Sequence, residues 1–157
     1  MKSQLIHEAG GERTFVLIFE TGDAVKGLLD RFVAEHQIGA ARFTAIGGLS
    51  AATLGYFDWD TKQAVEIPIA EQVEVLSLIG DVALRDGTPT AHAHMVVGRR
   101  DGSTRGGHLM EAHVRPTLEL ILIESPAHLR KRIDPESGIA VIALDDAESH
   151  VAEPTDV

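Results

Sequence analysis

In the stretch TAHAHMVVGRRDGSTRGGHL, running from Thr90 to Leu109, the chain places three of its eight histidines around an Asp-Gly pair. Neutral imidazoles hold borderline divalent ions, and three of them leave a tetrahedral ion one open position for water or substrate. The bland alternative is three neighbouring histidines, solvated on a polar sheet face. In a strand, residues two apart share a face, so His92 and His94 project together while Ala91 and Ala93 leave the other face small.

Register decides whether His108 joins them. Asp101-Gly102 suits a type I′ turn, which needs positive φ at both central positions. A strict two-residue loop sets His108 opposite Met95, on the wrong face. One further residue on the return arm sets it opposite Val96, diagonal to His94 and on the same face. The reading therefore predicts either a bulge at Gly106-Gly107, where glycine carries no Cβ penalty, or a three-residue loop.

Other chemistry-bearing groups surround this hairpin. Arg99, Arg100 and Arg105 crowd it, and Arg99 and Arg105 are candidates to hold a substrate carboxylate or phosphate. Glu119 and Glu124 lie in or at the end of the apolar run LELILIE, and Glu124 is a candidate acid/base against the simpler reading of a strand end. His7 and His128 read as surface residues, and Arg130-Lys131-Arg132 as an exposed turn. His113 is open between core, interface and a group supporting a ligand.

The elements that must carry these groups are mostly extended. Thr14 to Glu20 (TFVLIFE) reads as a buried strand. From Asp23 to Gly39 the apolar residues Val25, Leu28, Leu29, Phe32 and Val33 fall at helical spacing, with Asp23 as N-cap and Gly39 as stop. From Arg42 onward, extended runs alternate with Gly, Asp and Pro turns, as in an antiparallel sheet. Val73, Val75, Leu76, Leu78 and Ile79 suggest a strand covered on both faces, by the helix or by another subunit. Pro116 predicts an edge or bulge at the beginning of a strand whose interior is Leu118 to Ile123, and Ile139 to Leu144 is the last strand. Residues 1–146 form one expected domain, and the acidic 147–157 a mobile tail.

Composition narrows the function classes. With 14 Lys+Arg against 24 Asp+Glu the formal charge is −10, which argues against nucleic acid or anionic membrane as a partner. There is no cysteine, so any metal is held by nitrogen and oxygen. Seven aromatics (five Phe, one Trp, one Tyr) imply an aliphatic core. Neither a signal-peptide core nor a spanning apolar run is present in the sequence, and a cytoplasmic location is the expectation.

The run VLSLIGDVAL, the segment AHAHMVVGRRDGSTRGGHL and the strand TLELILIE, with AIGGLSAATLGYFD upstream, resemble the PPC domain, the plant and prokaryote conserved domain. The resemblance covers about residues 12 to 146. It implies an α+β fold, an antiparallel β-sheet with flanking helices, assembled as a homotrimer. It also implies a divalent metal, zinc first and iron second, on His92, His94 and His108. The Arg-Gly-Arg-Pro hook that precedes the domain in plants is not in this sequence. The fold is also similar, more distantly, to that of acetolactate decarboxylase, which holds zinc through three histidines. Two functions follow: a metal-binding protein with a small-molecule pocket, or a non-enzymatic regulatory or assembly module that contacts protein or DNA.

Overall fold

The structure, a computed structural model, describes residues 1–144. The expected acidic tail at 147–157 and the last two residues of the expected domain lie outside the described residues. In chain order the elements are β1 (Lys2–Ala9), β2 (Glu12–Glu20), α1 (Val25–Glu35), β3 (Ala40–Asp58), β4 (Gln63–Ile69), β5 (Val73–Arg85), β6 (Thr88–Gly98), β7 (Thr104–Glu124), β8 (Arg130–Ile133) and β9 (Ala140–Ala143).

The expected α+β fold with flanking helices is corrected. Among the described residues strands account for 67% and the one helix for 8%, so the protein is mostly β. The cause is visible in sequence pattern: only the segment after Asp23 repeats its apolar residues at helical spacing, and the long runs coalesce into β3 and β7, of 19 and 21 residues. The sheet is mixed, because Leu84 of β5 meets Arg130 of β8 in parallel while the other pairings are antiparallel. The pairings β3–β5, β5–β6, β6–β7 and β7–β3 close on themselves, so β6 is held between β5 and β7.

The core is aliphatic, as composition requires. Leu17, Leu29, Leu49, Leu54, Leu118, Leu120 and Leu122 are fully buried, joined by Phe15, Phe19, Phe32 and Phe43. α1 contributes Val25, Leu29, Phe32 and Val33. Its N-cap is Ala24, not Asp23. The Asp23 carboxylate is taken instead by the N-terminal amine at 2.7 Å and the Glu20 N–H at 2.9 Å.

Two strand expectations also change. Pro116 lies inside β7 rather than at its start, and β7 bulges there against β3, whose pairing jumps from Gly47↔Leu118 to Leu49↔Val114. Gly47 is required at this crossing: at φ +150 a Cβ would come within 2.3 Å of the Thr117 carbonyl. In addition, the sheet is covered on one face only within a single chain. Ile79 and Ile121 flank Thr44 from either side and remain 56% and 48% exposed, while their neighbours Leu78, Leu120 and Leu122 are buried.

Candidate metal centre and its cavity

The β6–β7 hairpin turns through Arg100, Asp101 and Gly102. The Arg99 N–H donates to Ser103 O at 2.8 Å, and Gly102 N–H to Arg99 O at 2.9 Å. Gly102 sits at φ +81, the left-handed third residue of a three-residue loop. The extra residue is therefore in the loop, and no bulge occurs at Gly106-Gly107. The pairing places His108 directly opposite His94, where the sequence reading put Val96. Parity is what the site needs, and the loop supplies it.

All three imidazoles converge. Ring centroids lie 5.3 Å apart for His92 and His94, 5.0 Å for His92 and His108, and 5.4 Å for His94 and His108. Their ligand nitrogens fall within 4.8 Å of one another. A tetrahedral ion with N–metal bonds of about 2.05 Å needs roughly 3.3 Å between them, so small side-chain rotations close the set.

The group behind His92 strengthens the fit. His92 Nδ1 lies 3.2 Å from Asp81 Oδ2, directly across from it on β5. A carboxylate only accepts, so Nδ1 carries the proton and Nε2 keeps its lone pair for an ion. Lys131 Nζ, whose side chain is 6% exposed, lies 2.8 Å from the other carboxylate oxygen. Burial works against ionisation of Asp81, but the hydrogen bond from His92 and the ion pair with Lys131 outweigh it and hold the carboxyl below its usual range. Burial pushes the His94 imidazole below its ordinary value, with the charge of His92 adding to it. His108 moves the same way, first through burial and then through His92, His94, Lys26 and Lys131. Both shifts favour the neutral ring, which is the form that coordinates.

The rings wall a cavity of about 760 Å³, within the range of small-molecule sites. Tyr56 and Phe57 of β3, Met110 of β7 and Ile139 make its apolar side, and Lys26, Arg85 and Lys131 its charged side. The helix reaches the cavity by closing an edge. β6 pairs with β7 only from His94 onward, and Asp30 of α1 accepts the Ala91 N–H at 3.0 Å on the free stretch. The same carboxylate pairs with Lys26, one turn earlier, which also lines the cavity.

The remaining candidates lie elsewhere. Glu124, at the far end of β7, is buried and holds Arg13 in a two-point pair, with Arg13 Nη2 2.9 Å from Oε1 and Nε on Oε2. Arg13 also donates to His36 O at 3.0 Å, so this pair ties β2, α1 and β7 together. Arg99 pairs with Glu71 at 2.7 Å. Neither Arg99, Arg105 nor Glu124 lines the cavity. His113 pairs with Glu111 at 3.0 Å, also outside it, and His7 and His128 are exposed. The expected exposed turn Arg130-Lys131-Arg132 is instead part of β8, whose alternation turns Lys131 inward.

Asp81, Lys26, Arg85 and Lys131 are the residues the sequence reading missed. For Asp81 a signal exists. Asp86 and Gly87, at φ 51 and 79, make the two-residue type I′ turn, and a strict loop there pairs Asp81 with His92.

Several solved structures share this fold. A metal-containing protein from Archaeoglobus fulgidus is 31% identical with a TM-score of 0.78, over 92% of this chain and 100% of that one. The plant- and prokaryote-conserved (PPC) protein of Pyrococcus horikoshii is 29% identical with a TM-score of 0.78, over 88% of this chain and 99% of that one. A candidate DNA-binding protein from Ralstonia eutropha is 30% identical with a TM-score of 0.78, over 83% and 91%. The bifunctional protein GlmU of a Synechococcus strain is 30% identical over 93% of this chain, which spans only 22% of that relative's length. A Staphylococcus aureus protein similar to alpha-acetolactate decarboxylase shares the fold at a TM-score of 0.51 and 10% identity, over 69% of this chain and 50% of that one. The sequence matches the Plants and Prokaryotes Conserved (PCC) domain over residues 6–126, and the chain belongs to that family.

Proposed function

We propose that this protein is a cytoplasmic homotrimer whose chains each hold one divalent ion, zinc first and iron second, on His92, His94 and His108 and present it to a ligand in the adjoining cavity. The carrying observation is the convergence of three imidazoles from two paired strands, one of them oriented by Asp81. The chain's own residues prepare the site. Asp81 fixes the His92 tautomer, burial keeps His94 and His108 neutral, and the cavity leaves one side of the triad open. A bound ion would supply Lewis-acid polarisation of a ligand oxygen or an acidified water. The metal-containing relative from Archaeoglobus supports the reading.

Assembly has support of its own. Ile121, Thr44, Ile79 and His94 form one row across β7, β3, β5 and β6, so the uncovered apolar face abuts the histidines. A second copy of the chain seated there would bury the face and shield one side of the site. The alternative, a regulatory module on DNA, draws support from the Ralstonia relative and is opposed by the charge of −10. Among the described residues no helix is long and apolar enough to cross a membrane.

Elemental analysis of protein purified without a His-tag or chelator tests the reading. About one divalent ion per chain is expected in the wild type, and loss of it in His94→Ala. Metal-free wild-type protein that takes up no zinc or iron on reconstitution would overturn it.

A further inference from the structure

The lining of the cavity is unlike the protein around it. In a chain with 24 acidic and 14 basic residues, three cations line this cavity and, among the described residues, no Asp or Glu does. Two of the cations are already neutralised from behind, Lys26 by Asp30 and Lys131 by Asp81. Arg85 has no carboxylate partner among the described residues. It stands exposed at the end of β5, across the Asp86-Gly87 turn from Thr88, and lines the cavity. Its planar fork of donors suits a carboxylate or a phosphate. The same lining includes Tyr56, Phe57 and Ile139, apolar surface that an inorganic ion would leave uncovered.

We infer that the cavity binds a small organic anion, its apolar body against Tyr56, Phe57 and Ile139 and its carboxylate or phosphate head on Arg85. The inference rests on the cavity described above but does not require the ion.

Binding of three probes with one ring in common tests this: phenyl phosphate, benzoate and the neutral benzyl alcohol. Each is titrated into wild-type protein and Arg85→Ala, metal-stripped and zinc-loaded, at low salt. At least one anion should bind the wild type clearly better than benzyl alcohol, and Arg85→Ala should weaken it about tenfold or more, since charge-assisted hydrogen bonds are lost. Which anion wins assigns the head group. Arg85 is exposed, so the variant should melt with the wild type and retain the same metal content. Equal anion affinity in wild type and Arg85→Ala overturns the proposal, as does equal affinity for the neutral probe or no binding of either anion. A wild type that holds no metal yet loses anion binding in Arg85→Ala would sink the metal reading alone.

Discussion

The two halves of the cavity are built in opposite ways. Its histidines come from adjacent strands of one hairpin, paired residue for residue from His94↔His108 to Gly98↔Thr104. Its cations come from α1, the end of β5 and β8, three elements distant in sequence. The first half is fixed by backbone hydrogen bonds. The second is fixed by side chains, Asp30 for Lys26 and Asp81 for Lys131, and β8 pairs with β5 at a single residue pair, Leu84↔Arg130. A metal site needs ligand positions accurate to fractions of an ångström, which a paired hairpin supplies. A charged rim tolerates more play. Asp81 is where the halves meet, since one carboxylate oxygen faces His92 and the other Lys131.

The largest expected effect separates both halves from the far end of β7. Glu124→Ala leaves Arg13 partly buried without its partner, and should lower stability by about 2–4 kcal/mol in denaturant unfolding. Metal content should not change. A stable Glu124→Ala protein that had lost its metal would instead place Glu124 in the site. Next comes Asp81→Asn, which tests the junction. It keeps the shape but removes the carboxylate that orients His92, and zinc affinity should fall about 10–100-fold in competition with a chromogenic chelator. If affinity held and only anion binding changed, Asp81 would belong to the cation half alone.

The same division explains what was legible in the sequence. The triad was readable because strand alternation and one turn suffice to place it: of the two expected devices the three-residue loop is the one present, and only the residue facing His108 differs. With the extra residue in the loop rather than at Gly106-Gly107, His108 faces His94 instead of Val96 and stays on the same face. Asp81 was equally readable from the Asp86-Gly87 turn, by the same rule. Lys26, Arg85 and Lys131 were not, because nothing local in VKGLLD, ALRDG or LRKRI shows that three separate elements meet over one strand. Lys131 in particular sits in a run of three basic residues that looks solvated, and only the alternation of β8 turns it inward. The α+β expectation failed for a related reason. Helix content was inferred from the family resemblance, whereas the periodicity of the chain itself offered a single helix.

The smallest predicted effect is also the most specific to the histidine half. In protein stripped of metal, burial lowers the folded-state pKa of His94 and His108 below that of the unfolded chain. The unfolded state then binds protons first as pH falls. Stability from these rings is fully present above about pH 6.5, the ordinary histidine value, and is lost as pH drops from there through the lower folded-state values. Urea midpoints of the stripped wild type should therefore decline below that pH more steeply than those of His94→Ala, which has one depressed imidazole fewer. Zinc should exaggerate the contrast, because bound imidazoles must stay unprotonated and the ion adds stability only to the folded chain. Arg85→Ala should instead follow the wild type, since His108 draws its shift from burial and from His92, His94, Lys26 and Lys131 rather than from Arg85. If His94→Ala and wild type decline in parallel, the rings are solvated neighbours and the ordered half of the cavity is ordered for some other reason.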